Sequence, residues 1–339
     1  MLLEEIQKSA QKCFSSNPLI VMGSGASMAH GLPSMGELQD HLVATIKADN
    51  TEEEAWLLVR TALSQGDHLE QALAATALPK TLITKVVGET WRCVSKKDKE
   101  LFNLTLLGKI EYPIAALMKA LFQSSNVEIN IVTTNYDRVI EYACGSVGLI
   151  TSSGFIPGYL QLRDAPEKIK FFRESKPLRN VKLWKVHGSL DWFERQDGSV
   201  FGAPLFDNMP AEISPLIVTP GVSKFERTYD EPFRSSIQGA DIAIAKAEGI
   251  LCVGYGFRDT HIEPKIVERC KEKNIPITVL AKSLTGEAKD FLQNKSGKNY
   301  LAFEDNATGT IAYSQECPNG IELPNVALWS LDGFLKLVQ

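Results

Sequence analysis

The stretch Ile20-Val21-Met22-Gly23-Ser24-Gly25-Ala26-Ser27 decides how the rest of the chain is interpreted. An apolar run that begins at Pro18 ends at Met22, two glycines flank a serine, and a segment of helical character follows at once. A buried strand, a glycine turn and a helix in this order are typical of phosphate sites, because glycine lets the backbone approach the anion and the helix N-terminus carries unpaired N–H groups. The same order also forms tight turns that bind nothing, so the stretch alone leaves both interpretations open.

Three later segments place polar residues or glycine at the ends of apolar runs. They are Thr134-Asn135-Tyr136-Asp137, His187-Gly188 and Gly254-Tyr255-Gly256. Ligands of parallel sheets bind beyond the carboxyl ends of the strands, so parallel strands would bring all four clusters to one edge. Taken singly, each cluster is equally well explained as a turn or a helix cap, with Asp137 as an N-cap residue.

Strand-like and helix-like segments alternate along most of the chain, which favours an α/β fold with a doubly wound parallel sheet. The exception follows the first strand, where residues from about 37 to 125 show helical spacing and no clean alternation. We therefore predict a mainly helical insertion there. Two segments keep two interpretations each. The aromatic-rich residues 151–180 form an irregular loop or a lid, and the polar residues 224–234 form a solvated loop or a contact surface.

The amino-acid composition limits the classes of protein to which this chain can belong. The 339 residues carry a net charge of −5, with 44% hydrophobic and 23% charged residues, which is ordinary for a globular protein. This balance gives no electrostatic footprint for nucleic acid over the whole surface. The sequence opens without a signal-peptide pattern, and no apolar stretch reaches the ~18–20 residues that span a bilayer. We expect a cytoplasmic protein that does not bind membranes.

The six cysteines form no CxxC pair. Paired cysteines at that spacing are the usual ligands of a structural zinc ion. We therefore expect no zinc ribbon, no other metal site and no disulfide framework, and the pattern indicates a reducing compartment.

Four motifs together resemble a known family. In chain order they are GSGAS at 23–27, TTNYD at 133–137, VHGS at 186–189 and VGYGFRD at 253–259. They resemble the motifs of the sirtuin-type NAD-binding fold, and most closely those of the bacterial Sir2-like branch associated with antiphage defence. The resemblance spans roughly residues 18–282. It implies a Rossmann-like sheet, with residues 1–290 as the catalytic domain and residues 291–339 as an extension packed on it.

The resemblance also implies a substrate and a set of site residues. NAD⁺ is the implied substrate, with Asn135 and His187 as catalytic residues. The residues implied to bind the nucleotide are Gly23, Ser24, Gly25, Ala26, Ser27, Thr134, Asp137, Gly254, Tyr255 and Gly256.

The expected chemistry is hydrolysis of the nicotinamide–ribose bond. The pyridinium is a good leaving group, so the enzyme has mainly to position the substrate and to stabilise a cation-like transition state. We expect Asn135 to hold a ribose hydroxyl or a water, and His187 to act as general base. Water would then release ADP-ribose and nicotinamide.

Three other functions compete with hydrolysis as interpretations of this sequence. A catalytically silent nucleotide-binding module would not need both Asn135 and His187. A protein deacylase of this family would carry the missing CxxC pairs. A dehydrogenase would place an acidic residue at the end of a second strand ~20 residues after the glycine turn, where this chain has helical sequence.

The resemblance further implies regulation, because uncontrolled NAD⁺ cleavage would kill the host. Homo-oligomerisation and a ring-forming HerA-like ATPase partner are the expected controls. Nucleic acid would be contacted only indirectly, through such a partner.

Overall fold

The computed structural model describes residues 3–165, 168–204, 206–219, 221 and 230–339. Most of the polar stretch at 224–234 lies outside these ranges, as do two residues of the 151–180 segment. The helices are α1 (Leu3–Ser15), α2 (Ser24–Met28), α3 (Met35–Thr45), α4 (Glu53–Ser64), α5 (Leu69–Ala74), α6 (Lys80–Leu106), α7 (Pro113–Leu121), α8 (Val139–Ser146), α9 (Phe233–Lys246), α10 (Ile262–Lys273), α11 (Gly286–Asp290, continued as a π-helical turn to Lys295) and α12 (Leu331–Val338). Within the described ranges, none of them combines the length and apolar character needed to cross a bilayer.

The strands form one large sheet, a smaller antiparallel sheet and a short hairpin. They are β1 (Leu19–Met22), β2 (Glu128–Thr133), β3 (Ile150–Ser152), β4 (Gln161–Leu162), β5 (Phe172–Arg173), β6 (Lys176–Pro177), β7 (Asn180–Lys185), β8 (Gly188–Arg195), β9 (Val200–Gly202), β10 (Ile213–Ile217), β11 (Ile250–Val253), β12 (Ile277–Ala281), β13 (Tyr300–Asn306), β14 (Gly309–Ser314) and β15 (Ile321–Pro324).

The large sheet has the order β15-β14-β13-β12-β11-β1-β2-β7-β3. The strands from β13 to β3 pair in parallel, whereas β14 and β15 are antiparallel. Ile20 and Met22 of β1 face the core formed with α7, α8 and α12, and Leu19 and Val21 face the core formed with α9 and α10. Helices on both faces bury every residue of the central strands β1, β11 and β12, which explains why those strands are mostly apolar. The predicted α/β fold with a parallel sheet is confirmed.

The chain between β1 and β2 forms the helices α2 to α7. Helices α3, α4, α5 and the first half of α6 enclose a separate apolar core around Leu42, Trp56 and Leu69. Farther along the same helix, Trp91 and Leu101 belong to the core under the sheet. The long helix therefore connects the helical region to the sheet.

Strands β4, β8 and β9 are not predicted from the sequence, whereas the strand predicted at 216–219 overlaps the end of β10. Strands β8, β9, β10 and β4 form an antiparallel sheet, and both of its faces are covered at β8, since the adjacent residues Trp192 and Phe193 are buried in different cores. Burial of adjacent residues removes the polar alternation by which a strand is recognised. Within residues 291–339, which the sequence predicts as an extension packed on the domain, β13 pairs in parallel with β12, and β14 and β15 follow at the edge of the large sheet.

A buried ion pair joins α6 to the start of α8. Asp98 is fully buried and accepts hydrogen bonds from Arg138 Nη2 at 2.7 Å, Arg138 Nε at 3.0 Å and the Arg138 backbone at 2.8 Å. The Tyr142 hydroxyl donates to the same carboxylate at 2.5 Å. Arg138 directly follows the TTNYD motif, so this contact anchors the end of that loop to the long helix.

Replacing Asp98 by Ala should lower the free energy of unfolding by about 3–5 kcal/mol, because it leaves the Arg138 charge buried without its partner. Glu100→Ala is the matched control, since Glu100 lies on the same helix and pairs with Lys97 at the surface, where an ion pair contributes little. Denaturant unfolding of both variants tests this. Equal, small losses would show that the buried pair does not anchor the loop.

Candidate active site at the carboxyl edge of the parallel sheet

The four motifs meet at one edge of the large sheet. They follow β11, β1, β2 and β7, which are consecutive neighbours in the sheet and run in the same direction. Met22, the last residue of β1, lies opposite Val253 on one side and Thr133 on the other, so the loops leave the sheet at the same level. The fold therefore brings together residues that are more than 230 positions apart in the chain.

The glycines of two motifs pack against each other. Gly254 has φ +58, and a Cβ there would lie 2.2 Å from the Ala26 nitrogen; a Cβ on Gly23 would lie 2.5 Å from the Gly254 oxygen. The N–H groups of Gly23 and Gly25 donate to the carbonyls of Val253 and Gly254, both at 3.1 Å. Glycine is needed here because two loop backbones are in contact. The N–H of Ala26 is also used, by the Gly23 carbonyl, whereas Ser24 is exposed on the turn.

The Asn135 side chain is held by both hydrogens of its amide. Its Nδ2 donates to the Gly23 carbonyl and to the Ser27 hydroxyl, both at 2.9 Å. Its backbone N–H donates to Thr133 Oγ1, which in turn donates to the Met22 carbonyl. Because the nitrogen is committed, the group that Asn135 offers to a ligand is Oδ1, a pure acceptor.

Ser27 and Asp137 form the layer beneath Asn135. Ser27 is 3% exposed, so its hydroxyl serves Asn135 from within the protein. Burial raises the pKa of the Asp137 carboxyl, and the Lys185 charge and the Ser27 hydroxyl oppose that rise. Asp137 Oδ1 accepts the N–H of Val139 at the start of α8.

Lys185 ends β7 and is 1% exposed. Its Nζ donates to the Asp137 carbonyl at 2.5 Å and pairs with Glu141 at 2.8 Å. A buried lysine needs such partners, and here they join β7 to the loop after β2. Lys185 is not among the site residues predicted from the sequence. The available signal was a lysine at the end of β7, immediately before the VHGS motif.

His187 contacts Asp259, which ends the VGYGFRD motif but is not among the site residues predicted from the sequence. Its Nε2 lies 2.9 Å from Oδ2 of Asp259, with the side chains 15% and 4% exposed. Strands β7 and β11 are three positions apart in the sheet, a separation of about 14 Å at the usual strand spacing. The loops after them therefore meet above the ends of β1 and β2 and close a ring around the site.

Asp259 is the charged member of this pair. Burial alone would raise the pKa of its carboxyl, but the contact with His187 and two backbone N–H groups hold that pKa well below its usual value. The two donors are His261 and Ile262, each 2.9 Å from Oδ1. The carboxylate is thus ionised and also caps the start of α10.

The other residues predicted to bind the nucleotide do not all lie at the surface of this edge. Thr134 and Gly256 are half-buried at the edge, and the Gly256 carbonyl accepts the Thr285 hydroxyl at 2.7 Å. Tyr255 is 4% exposed, and its ring packs on Phe257 in the core below the edge. Its side chain is therefore not presented at the edge, although its backbone is part of the loop.

Residues 151–180, predicted as a loop or lid, have a mixed character. Phe155 is buried against Trp192 in the small sheet, with ring centroids 5.0 Å apart, whereas Tyr159 is 90% exposed. Their role as a lid stays a prediction. Across the described ranges, no group of three or more His, Cys, Asp or Glu side chains is arranged to hold a metal ion.

Comparison with known proteins agrees with this geometry. Residues 129–295 match the family model of the SIR2-like domain. The matched span is just under half of the chain and contains Asn135, His187 and Asp259. No curated protein sequence matches the chain significantly.

Several solved structures of Sir2 proteins resemble the fold. One described as a basis for the mechanism and regulation of Sir2 enzymes has a TM-score of 0.42 and 13% identity, over 88% of this chain and 95% of that one. A substituted Sir2 homologue with 2'-O-acetyl ADP ribose has a TM-score of 0.46 and 11% identity, over 99% and 96%. A Sir2 homologue–NAD complex has a TM-score of 0.41 and 14% identity, over 88% and 87%.

Gly254→Ala should destabilise the protein more than Gly148→Ala. Both glycines have positive φ, but a Cβ on Gly148 meets nothing within 4 Å, whereas one on Gly254 overlaps Ala26 and Gly25. We expect about 1–2 kcal/mol for the backbone conformation alone and about 1–3 kcal/mol more for the overlap at Gly254. Denaturant unfolding measures both costs. Equal losses would contradict a close-packed loop pair.

Proposed function

We propose that this protein hydrolyses NAD⁺ at the nicotinamide–ribose bond and releases nicotinamide and ADP-ribose. The observation that carries the proposal is the pair formed by the oriented Oδ1 of Asn135 and the His187 imidazole. They lie at the ends of the adjacent strands β2 and β7, inside the segment that matches the SIR2-like domain. The resemblance of the four motifs to the NAD-binding fold supplies the substrate.

Asn135 has the properties required of a group that holds the reacting ribose. Its Oδ1 accepts a hydrogen bond from a ribose hydroxyl or from a water. Because both amide hydrogens are bound within the protein, this oxygen is positioned before the substrate arrives. A preorganised dipole of this kind stabilises a developing positive charge without reorganisation during the reaction.

His187 receives the proton of the attacking water. The C–N bond to nicotinamide breaks, and its electron pair neutralises the pyridinium nitrogen. The water oxygen forms the new bond to the ribose C1', and one water proton passes to the imidazole. The neighbouring Asp259 carboxylate stabilises the imidazolium that results.

We further propose that this activity serves as an antiphage defence effector that depletes NAD⁺ when it is activated. The basis is the likeness of the motifs to the Sir2-like branch associated with antiphage defence. A homo-oligomer and a HerA-like ATPase are the proposed regulators, with nucleic acid acting only through such a partner. This role places the protein in the cytoplasm.

Release of nicotinamide from NAD⁺ by the purified protein, alone and with a candidate ATPase, tests the proposal. His187→Ala should reduce the rate by about 100-fold or more, since general base catalysis contributes that much. Asn135→Ala should reduce the rate by a similar factor, because removing one preorganised polar group from a site costs about 100-fold or more. His41→Ala is the matched control, because this half-buried histidine pairs with Glu89 on the helical region and should leave the rate unchanged.

Measurements of NAD⁺ binding and of the reaction products distinguish a hydrolase from a silent binding module and from a deacylase. NAD⁺ binding by calorimetry without nicotinamide release under either condition would indicate a silent nucleotide-binding module and would overturn the proposal. Nicotinamide release that requires an acetylated peptide, with acetyl-ADP-ribose as product, would instead identify a deacylase.

A further inference from the structure

We propose that Tyr136 is a positioning residue whose hydroxyl keeps Asn135 and His187 at a fixed separation. The catalytic part of this inference rests on the proposed NAD⁺ hydrolysis, in which both residues act on one substrate. The contacts that carry it are a property of the folded protein alone.

Asn135 and His187 leave the sheet in register but on separate loops. Thr133 of β2 is paired with Lys185 of β7, and each candidate catalytic residue follows its paired residue by two positions. The Val186 N–H continues this ladder by donating to the Thr133 carbonyl at 3.1 Å. Beyond that hydrogen bond, the separation of the two residues depends on what holds their loops.

Val218 joins the two loops. It directly follows β10 and is 3% exposed. Its N–H donates to the His187 carbonyl at 2.8 Å, and its carbonyl accepts the Tyr136 hydroxyl at 2.6 Å. Tyr136 directly follows Asn135 in the chain. One residue of a third segment is therefore bonded both to His187 and to the neighbour of Asn135.

The backbone of Tyr136 makes a second connection to the loop of His187. The Leu190 N–H donates to the Tyr136 carbonyl at 3.0 Å, and Leu190 lies on β8, which begins immediately after His187. Tyr136 is thus attached directly through its carbonyl and through Val218 by its hydroxyl. Supporting hydrogen bonds of this kind keep the geometry of a functional site.

The segment on both sides of Val218 is in close backbone contact with its surroundings. A Cβ on Gly188 would lie 2.0 Å from the Leu216 carbonyl oxygen, and one on Gly221 would lie 2.3 Å from the Glu70 carbonyl oxygen of α5. Both glycines have positive φ, and a side chain at either position would overlap its neighbour. The acceptor of the tyrosine hydroxyl is therefore held between β8 and the helical region.

The Tyr136 hydroxyl remains a donor. Burial raises its pKa, and the charge of Glu70 adds to the rise, so the hydroxyl is protonated at neutral pH. Tyr136→Phe would leave the buried Val218 carbonyl without this donor. Because an orphaned buried acceptor is costly, we expect the contact between the loops to loosen.

The experiment compares Tyr136→Phe with Tyr300→Phe in the full-length protein. Tyr300 is the matched control, because its hydroxyl also donates to a backbone carbonyl, that of Ser314, at 2.8 Å, and it is 8% exposed. It is the first residue of β13, which runs parallel to β12, so it lies at the edge of the sheet opposite to the site. Lost stability alone would affect both variants.

The kinetic readout separates positioning from folding. In Tyr136→Phe, the kcat of nicotinamide release should fall about 10- to 100-fold, since small misplacements of reacting groups cost that much. The Kd for NAD⁺ and the number of binding sites, both from calorimetry, should stay as in the wild type. Tyr300→Phe should keep the wild-type kcat.

Hydrogen exchange of the Val218 amide, resolved by NMR, tests the contact without any activity. This N–H is buried and bonded to the His187 carbonyl, so it should exchange slowly in the wild type. In Tyr136→Phe its exchange should accelerate about tenfold, the factor that corresponds to one net hydrogen bond. Tyr300→Phe should leave it unchanged.

Each contrary result overturns a stated part of the inference. Fast exchange of Val218 in the wild type, or equal acceleration in both variants, would overturn the contact, and the first of these needs no variant to fold. Unchanged kcat in Tyr136→Phe, or a loss matched by lost binding sites, would overturn the positioning role. If the wild type releases no nicotinamide, the proposed function fails, and the exchange rates still decide whether Tyr136 joins the two loops.

Discussion

The site depends on backbone contact between the loops after β1 and β11. Gly23 and Gly25 lie so close to Gly254 that no side chain fits between them. Once these loops touch, the Gly23 carbonyl and the Ser27 hydroxyl are available to bind the amide of Asn135. The position of the candidate catalytic amide is therefore a consequence of how two glycine turns pack.

From this contact a continuous ring of interactions surrounds the edge of the sheet. The glycines join β11 to β1, Asn135 joins β1 to β2, Lys185 joins β2 to β7, and the His187–Asp259 pair returns from β7 to β11. Each connection uses a buried or half-buried polar group that has a partner. Polar groups in such a low-dielectric setting are strongly oriented, because leaving them unpaired is costly.

The two aspartates of the ring show how the environment divides their roles. Burial raises the pKa of Asp137, whereas the partners of Asp259 overcome burial and hold its pKa low. Asp259 therefore supplies a fixed negative charge beside His187. Asp137 is buried beside Ser27, whose hydroxyl accepts a hydrogen bond from Asn135. Beneath them, the Asp98–Arg138 pair connects the same loop to the helical region.

The sequence by itself determined the class of fold, the strands that carry the four motifs and the identities of Asn135 and His187 as candidates. Apolar runs that end in glycine or polar residues are local signals, so they are readable without a structure. Only the tertiary structure decided that Ser27 and Tyr255 are buried, that Asp259 and Lys185 belong to the site, and that β13 continues the sheet. Those facts depend on contacts between distant segments and on loops that cross above the strands.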